Sequence, residues 1–364
     1  MRKALLITLE YPPQIGGVAN YYANLIGSFP VGQIKILTND TYKLVAKKWL
    51  WPKWLIAFCS IYRYVKKEKI EVLLIGQVLP LGTVAWILNK LFNLPYFVFT
   101  HALDITHPQT YRRKKWLLSK ILESAEQIIT VSEFTRQEIK KIIHGPNQHR
   151  ITIISPGPNI TPERYPHNPA FINLKEYVNR QILLSVGRLV ERKGHDQVIK
   201  ALPHIVKHNP NIIYVVVGQG IYLDKLQRLA KDLAVEQYVH FVGPLTNIQL
   251  AAMYRRATLF VMPSRELSNR DVEGFGIVYL EANSFYKPVI AGQSGGIQDA
   301  VIDGVTGFVV DPLDTQMLAK AILKILDHPE LGLKMGEQGA RRVQEKFSWP
   351  QQAQRLGQLL SGFK

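Results

Sequence analysis

The chain has 364 residues, of which 47% are hydrophobic and 20% are charged, and its formal net charge at pH 7 is +17. This length fits two domains of ordinary size, and this composition is that of a folded, soluble protein rather than a disordered one. The single cysteine, Cys59, excludes an intrachain disulfide and indicates a reducing compartment.

The N-terminal residues do not have the pattern of a signal peptide. Their apolar run, Ala4 to Leu9, is short and is followed by a glutamate and two prolines, with no cleavage site of small residues. The longest apolar run, Val72 to Leu88, contains Gly76, Pro80 and Gly82. These breakers predict a buried strand, a turn and an apolar helix instead of a membrane span.

Short β-branched runs alternate with amphipathic stretches along the whole chain, a pattern typical of βα units around parallel sheets. The predicted strands of the first half are Ala4–Leu9, Gln33–Leu37, Val72–Ile75, Tyr96–Thr100, Gln127–Val131 and Ile151–Ile154. A proline-rich stretch, Ser155 to Pro169, then predicts an interdomain linker. The predicted strands of the second half are Ile182–Val186, Ile212–Val217, Val239–Val242, Thr258–Met262, Pro288–Ile290 and Gly307–Val310.

The repeated pattern predicts an α/β fold with two Rossmann-like domains facing across a cleft. We expect an N-terminal domain at residues 1–165, a C-terminal domain at residues 166–347, and a terminal helix at residues 348–364 that can return to the first domain. Ligands of such folds bind outside the carboxyl ends of the strands. The positive charge is uneven, because residues 1–165 carry +12 and the remainder +5. An anionic partner is therefore expected to contact the first half.

Three glycine turns follow predicted strands and suit a nucleotide or phosphate ligand. Gly16 and Gly17 precede a helical run, and glycine backbone at a helix N-terminus can approach an anion closely. Taken alone, a glycine pair before a helix is more often a simple turn. The third turn is Ser294 to Asp299.

The turn between them, in VGRLVERKGHD, adds two cations, Arg188 and Lys193, directly after a buried strand. Two cations there suit a diphosphate, because each charge-assisted hydrogen bond contributes roughly 1.5–3 kcal/mol. A solvated basic loop is the open alternative, and Arg192 is expected to be such a solvated residue.

The segment DVEGFGIVYLEA places two glutamates around a glycine turn and a helix. Glu273 lies in the turn and Glu281 is expected about two helical turns further on, where both could accept hydrogen bonds from sugar hydroxyls. The alternative is that Glu273 caps the helix and Glu281 is an exposed helical residue. The residues alone favour this alternative.

Four motifs, GGV near the N-terminus, GRL…RKGH, EGFGIVYLEA and AGQSGG, stand in the order and spacing of retaining glycosyltransferase family four. The chain resembles a full-length member of that family, whose fold is called GT-B, from about Leu5 to Pro312. The sequences of its motifs are similar to those of bacterial phosphatidylinositol mannosyltransferases and of GDP-mannose-dependent alpha-mannosyltransferases.

The resemblance implies a role for each motif residue. Arg188 and Lys193 hold the donor diphosphate, and the backbone of Gly16 and Gly17 closes over the same phosphates. The other motif residues contact the sugar and the ribose of the donor. Glu273, Phe275 and Gly276 contact the transferred sugar, Glu281 holds the ribose hydroxyls, and His101 lies beside the reactive carbon. Glu10, before the first glycine turn, stands where relatives have an aspartate, and the resemblance places it among the catalytic residues.

The reaction implied is transfer of a hexose, with mannose favoured, from a sugar nucleotide to a lipid-linked or oligosaccharide acceptor with retention of configuration. Arg188, Lys193 and the helix N-terminus after Gly276 would stabilise the negative charge that grows on the leaving β-phosphate. The acidic pair Asp271 and Glu273 has the acidic-x-acidic form that binds a divalent metal in other glycosyltransferases, but it lies between a polar loop and a glycine turn. We therefore expect no cofactor and no metal.

The first half also carries basic and aromatic clusters. One is KKWLWPKW, from Lys47 to Trp54, and another runs from Arg112 to Trp116. Tryptophan beside lysine favours the headgroup region of a membrane, so reversible contact with an anionic membrane surface is predicted. The corresponding location is cytoplasmic, peripheral on the inner face of the cytoplasmic membrane. Packing of these tryptophans inside the domain is the alternative.

Other functions remain open at this stage. The donor can be a UDP-hexose or UDP-N-acetylhexosamine, and the same fold serves sugar-nucleotide epimerases, which need no acceptor. A basic nucleic-acid-binding protein that kept the fold is a further alternative. No nucleic-acid partner is expected, because no recognition module and no continuous basic stripe are readable.

Overall fold

The computed structural model of the chain describes residues 1–14, 16–39, 44, 54–166 and 177–362. It divides into two compact units. Unit 1 comprises Met1–Pro156 and Trp349–Lys364, and unit 2 comprises Gly157–Ser348. The division falls inside the predicted proline-rich linker, whereas the sequence placed it after residue 165.

Unit 1 is built on a parallel six-stranded sheet with the strand order β2-β1-β3-β4-β5-β6. Its strands are β1 Ala4–Thr8, β2 Ile34–Thr38, β3 Val72–Ile75, β4 Tyr96–Thr100, β5 Gln127–Thr130 and β6 Ile151–Ile153. The helices that the structure describes before the division are α1 Gly17–Gly27, α2 Leu55–Glu68, α3 Leu81–Phe92, α4 Leu103–Thr106, α5 Arg112–Ser124 and α6 Glu133–Lys140, with short 3-10 helices at Pro108–Thr110 and Gly145–Arg150. Helices cover the sheet, so the strands read as continuous apolar runs. The run from Val72 to Leu88 is β3, a turn and the start of α3, as predicted.

Unit 2 repeats the architecture with the strand order β12-β11-β10-β7-β8-β9. Its strands are β7 Gln181–Val186, β8 Ile212–Val217, β9 Val239–Gly243, β10 Leu259–Met262, β11 Val289–Gly292 and β12 Gly307–Val310. Its described helices are α7 His195–His208, α8 Leu223–Asp232, α9 Asn247–Arg256, α10 Ile277–Ser284, α11 Ile297–Ala300, α12 Thr315–Asp327 and α13 Pro329–Lys346, with 3-10 helices at Glu191–Lys193 and Glu236–Tyr238. Both units are thus Rossmann-like, which confirms the predicted fold class.

The C-terminal helix α14, Trp349–Ser361, belongs to unit 1. The ring of Trp349 packs edge-on against Tyr21 of α1 with 5.7 Å between centroids. The amide of Arg2 donates to the carbonyl of Leu360 at 3.1 Å, and the Arg2 guanidinium also pairs with Glu126 at 2.6 Å. The chain therefore returns to its first unit after completing the second.

Each unit has its own hydrophobic core, one under β1, β3 and β4 and the other under β7, β8 and β10. Among the helices that the structure describes, none combines the length and apolar character that crossing a membrane requires.

Candidate functional site

The strand order of unit 2 reverses between β7 and β10, because β8 and β9 continue on one side and β11 and β12 on the other. The carboxyl ends of strands at such a reversal form the usual ligand site of a doubly wound sheet. The loops that leave β7, β10 and β11 contain the predicted cations, the predicted glutamate turn and the predicted serine–glycine turn. The topology therefore brings three sequence motifs of unit 2 to one edge of one sheet.

The loop after β7 folds tightly against the loop after β10. Gly194 has a φ of +75°, and a Cβ at this position would lie 2.1 Å from the carbonyl oxygen of Pro263. Only glycine fits such a close approach with a positive φ. The preceding 3-10 helix, Glu191–Lys193, is held down by this contact, and both Arg192 and Lys193 are buried.

Glu273 lies between these two buried cations. Its Oε2 accepts from Nη1 of Arg192 at 2.6 Å and from Nζ of Lys193 at 2.6 Å. Asp271 approaches Nε of Arg192 at 3.2 Å. We call Arg188, Arg192, Lys193 and Glu273 the switch-point cluster. The sequence-based expectation that Arg192 is solvated was wrong, because its side chain completes this buried ion pair.

Burial alone would disfavour the Glu273 carboxylate, but the charges of Lys193 and Arg192 outweigh it and hold the pKa of Glu273 at about 2. Glu273 is therefore ionised at neutral pH. Removing either the carboxylate or a cation from a buried ion pair leaves an uncompensated buried charge, which strongly destabilises the folded state. The structure also excludes the capping alternative, because Gly276 is the N-cap of α10 and no side chain caps this helix.

Three further predicted residues of unit 2 are placed as follows. Arg188 is exposed and lies two residues after β7, at the start of the loop that follows this strand. Gly276 has a φ of +88°, and a Cβ there would meet the ring of Tyr279 at 2.4 Å. Phe275 is buried, and its ring packs against Phe347 with 5.7 Å between centroids. The side chain of Phe275 therefore belongs to the core of unit 2, and only its backbone is left for ligand contact.

Glu281 is buried, which contradicts the alternative of an exposed helical residue. It lies just over one turn into α10, and not two, because the helix begins at Ile277. Its carboxylate accepts from the hydroxyl of Tyr254 at 2.9 Å and from the amide of Asn159 at 3.2 Å. Burial is the main cause of the raised pKa of Glu281, and these donors oppose it only in part.

The serine–glycine turn after β11 is tied to the backbone of the glutamate turn. The amide of Gly296 donates to the carbonyl of Glu273 at 2.8 Å. Gly295 has a φ of +50°, and a Cβ there would lie 2.2 Å from that same carbonyl. The hydroxyl of Ser294 is buried and has no hydrogen-bond partner among the described residues. The two motifs thus form one connected structure at the end of the sheet.

In unit 1 the loop after β1 carries Glu10, Gly16 and Gly17, and α1 begins at Gly17. Gly16 has an extended φ of 174°, so its backbone does not require glycine. A Cβ on Gly16 would lie 3.8 Å from Oε2 of Glu10, which is ordinary contact. The predicted glycine turn therefore places the Glu10 carboxylate beside the N-terminus of α1.

His101 follows β4 and is held by partners that the sequence did not reveal. Its Nε2 lies 2.7 Å from the hydroxyl of Tyr22, and that hydroxyl also donates to the carbonyl of Gly76 at 2.7 Å. Since a hydroxyl has one proton, Nε2 of His101 must be the donor to Tyr22. Burial lowers the pKa of His101 to about 4, so the ring is neutral at pH 7 with a bare Nδ1.

The turn after His101 is strained and closed by a carboxylate. Ala102 has a φ of +78°, which is costly for a residue with a Cβ. The amide of His101 donates to Oδ1 of Asp104 at 2.8 Å. Burial raises the pKa of Asp104 to about 7, against the effect of its backbone donors. Strain of this kind persists only where the surrounding structure holds the backbone in place.

No group of three or more His, Cys, Asp or Glu side chains in the described part of the chain is arranged to hold a metal ion. The acidic-x-acidic segment, Asp271 to Glu273, is instead engaged with Arg192 and Lys193.

Two family models match the chain and together cover most of it. The model described as "Glycosyltransferase Family 4" matches residues 15–162, and the model described as "Glycosyl transferases group 1" matches residues 169–342. The boundary between the two matches lies within the predicted linker.

Curated relatives match over nearly their full length. A GDP-mannose-dependent alpha-(1-6)-phosphatidylinositol monomannoside mannosyltransferase of Mycolicibacterium smegmatis is 29% identical, covering 98% of each chain. A GDP-mannose-dependent monoacylated alpha-(1-6)-phosphatidylinositol monomannoside mannosyltransferase of Corynebacterium glutamicum is 27% identical, covering 99% of this chain and 98% of the relative.

Solved structures share the fold. The HepE protein of Anabaena, in complex with UDP and glucose, superposes with a TM-score of 0.79 at 17% identity over 100% of both chains. Sucrose-phosphate synthase of Thermosynechococcus elongatus has a TM-score of 0.79 at 22% identity, over 99% of this chain and 98% of that one.

Proposed function

The chain belongs to glycosyltransferase family four and is a glycosyltransferase, and from this premise we propose that it moves mannose from GDP-mannose to a lipid-linked or glycan acceptor with alpha linkage and retention of configuration. The observation that carries the proposal is the switch-point cluster, which combines cations for a diphosphate with a carboxylate for a sugar. GDP-mannose is favoured as donor because the full-length relatives named above use it.

Without a donor, Glu273 neutralises Arg192 and Lys193. We propose that the donor diphosphate replaces Glu273 as the partner of Lys193, assisted by the exposed Arg188. Glu273 keeps Arg192 and becomes able to accept a hydrogen bond from a hydroxyl of the transferred sugar. Binding then exchanges one charge-assisted hydrogen bond for another and strands no buried charge.

Departure of the nucleoside diphosphate concentrates negative charge on the β-phosphate. Lys193, Arg188 and the N-terminus of α10 after Gly276 are the groups that we propose to stabilise this charge. The leaving phosphate takes the proton of the acceptor hydroxyl on the same face, in an oxocarbenium-like step. This route differs from the double displacement of retaining glycosidases, which requires a second carboxylate as nucleophile.

We assign the other predicted residues to supporting roles. Glu281, buried between Tyr254 and Asn159, holds the ribose hydroxyls through its carboxylate. Gly16 and Gly17 offer backbone to the phosphates at the N-terminus of α1. His101 is neutral, and the Nδ1 that Tyr22 leaves bare is an acceptor beside the reacting sugar.

Nucleotide preference tests the donor assignment. GDP is expected to raise the melting temperature of the protein, by an amount equivalent to about 2.7 kcal/mol at 100 times its Kd, while UDP and ADP raise it less. Differential scanning fluorimetry with the three diphosphates measures this order. A shift with UDP alone would contradict the GDP-mannose assignment. Consumption of GDP-mannose without a glycosylated acceptor would instead favour the epimerase alternative.

We propose that the reaction needs no metal, because both carboxylates of the acidic-x-acidic segment are already paired with Arg192 and Lys193. Transfer is therefore expected to continue at an unchanged rate in excess EDTA. The measurement is initial rate with chelator, followed by addition of manganese. Loss of activity with EDTA and its restoration by manganese would reject metal independence.

We further propose reversible contact of unit 1 with an anionic membrane from the cytoplasmic side, with no nucleic-acid partner. Support comes from α5, whose first turns carry exposed basic residues and Trp116, which is 57% exposed. In the other predicted cluster, Lys47 to Lys53 lie outside the described residues. Trp54 is partly buried and packs against the core of unit 1, so we do not include it in the proposed membrane contact.

A further inference from the structure

A surface pocket of about 450 Å³ lies in unit 1 between α5 and the segment that follows α6. One wall is the face of α5 formed by Arg112, Lys115, Trp116 and Ser119. The other wall comes from Lys141, Ile142 and His144. We call this the basic pocket. It contains none of the residues assigned above to the donor or to the transfer reaction.

The helical period explains why four residues of α5 share this wall. Positions i, i+3, i+4 and i+7 lie on one face of a helix, and the opposite face of α5 buries Leu118, Ile121 and Leu122 in the core. The neighbouring residues Arg113 and Lys114 carry the same charges but do not line the pocket. Of the four consecutive basic residues, the fold therefore places two, Arg112 and Lys115, in the wall of the pocket.

The charge balance of the basic pocket is positive. Within the part of the chain that the structure describes, neither Arg112 nor Lys115 forms an ion pair. Lys141 is paired with Glu138. At the far end, the hydroxyl of Ser119 donates to Glu123 at 2.8 Å, and Lys120 also binds this carboxylate at 3.0 Å.

The N-terminus of α5 adds to the positive potential, because its first turn holds no acidic residue and no side chain caps it. Two free cations at a helix N-terminus suit one phosphate group.

Trp116 indicates that this phosphate belongs to a lipid. Its ring packs edge-on against Trp86 with 6.3 Å between centroids, yet the residue is 57% exposed and lines the pocket. A tryptophan that is held by the protein on one side and exposed on the other is typical of the headgroup level of a bilayer. The volume of the basic pocket, about 450 Å³, is within the range of small-ligand sites.

We propose that the basic pocket binds the phosphate of an anionic phospholipid in a bilayer, with Arg112 and Lys115 on the phosphate and Trp116 at the headgroup level. This inference rests on the proposed membrane contact of unit 1 and makes it specific. Docking then depends on a shaped site and not only on the net positive charge of the surface.

The chain offers a matched control for the test. The double variant Arg112→Gln with Lys115→Gln and the double variant Arg113→Gln with Lys114→Gln remove the same charge from the same turns of α5. Binding to vesicles of phosphatidylcholine with 30% phosphatidylglycerol, by mole, is measured by flotation titration for both variants and for Trp116→Ala. We expect about tenfold weaker binding for the pocket pair and less than about twofold for the control pair. Trp116→Ala should weaken binding as well.

An equal loss of vesicle binding in both double variants, or no loss in either, would overturn the proposal that the basic pocket binds the lipid phosphate. Membrane binding would then depend on the overall positive charge of the surface. All substituted side chains are exposed, and the melting temperature of each variant checks that it is folded. Stabilisation by glycerol 3-phosphate without vesicles, lost in the pocket pair, would move the site to a soluble phosphate and overturn the lipid assignment. GDP-induced stabilisation is measured on every variant, so that a wrong donor assignment is recognised separately. If the donor assignment is wrong, the unmodified protein shows no increase in melting temperature with GDP, and the vesicle result is unchanged.

Discussion

Replacing Glu273 by glutamine is expected to lower the kcat for transfer by about 10²–10³-fold. The amide keeps the shape of the side chain but cannot carry the charge that Arg192 and Lys193 neutralise at 2.6 Å. In the donor complex, an uncharged Glu273→Gln side chain is a weaker acceptor for a sugar hydroxyl. Steady-state rates with saturating donor and acceptor measure the loss.

The same substitution should destabilise the free enzyme. Lys193 and Arg192 lose the carboxylate that lies 2.6 Å from each of them, and Arg192 keeps only Asp271 at 3.2 Å. Breaking a buried pair by removing one partner typically costs 3–5 kcal/mol. We therefore expect a lower melting temperature without nucleotide and a larger GDP-induced shift than in the unmodified protein, because a diphosphate can replace the missing charge. Glu236→Gln, on an exposed 3-10 helix of unit 2, is the matched control and should change neither quantity. A Glu273→Gln enzyme with an unchanged rate would contradict the assigned role.

The pH dependence of stability follows from the same pair. The pKa of Glu273 is about 2 in the folded chain against an ordinary value of 4.5. A depressed pKa contributes stability that is fully present above pH 4.5 and is lost as the pH falls from 4.5 towards 2. This contribution is on the order of 3 kcal/mol. Acid unfolding curves should show it in the unmodified chain and not in Glu273→Gln.

The strands of both sheets were well predicted from the sequence, because the apolar pattern of a buried strand depends only on the residues of that strand. All twelve strands lie where the apolar runs predict them, with ends that differ by at most two residues. Strands buried on both faces of a parallel sheet must be continuous apolar runs. Their turns and helices follow at regular intervals, so the α/β pattern is readable without tertiary information.

The partners of the site residues could not be predicted in this way. Arg192 appeared to be one more basic residue in a loop, and its burial depends on β7 lying next to β10, which is a property of strand order. Glu281 appeared exposed because its partner Tyr254 lies on a different helix. Tyr22 was missed for the same reason, since it lies on α1 and meets His101 only in the folded chain. Asp104 is a local partner of His101, but their hydrogen bond goes with a turn in which Ala102 has a positive φ, and the sequence does not indicate such a turn.

Two features nevertheless left a trace in the sequence. The run Arg192–Lys193–Gly194 before a helix indicates a turn with special backbone geometry, and the positive φ of Gly194 agrees with it. The glycine turn after Glu273 indicates a break between carboxylate and helix. Resemblance to a family supplied the proposed roles of these residues, and the structure shows which side chains they contact.

Replacing Lys193 by methionine is expected to remove GDP-induced stabilisation and to lower kcat/KM for the donor by about 10²–10³-fold. Methionine preserves the packing of the buried Lys193 stem, which lies beside Gly187. Arg192 continues to pair with Glu273 at 2.6 Å, so the fold should survive with a smaller loss of stability than in Glu273→Gln. Fluorimetry with GDP and initial rates at low donor concentration measure the two effects.

The control for this substitution is Lys200→Met on α7, which removes an equal charge from an exposed position of the same unit. It should leave the GDP shift and kcat/KM unchanged. Arg188→Ala should lie between the two, because Arg188 is exposed and its bond to phosphate is screened by solvent. Full GDP stabilisation in Lys193→Met would assign the diphosphate to Arg188 and the helix N-terminus. In that event Lys193 would serve only to hold Glu273 ionised, and the partner exchange proposed for donor binding would not occur.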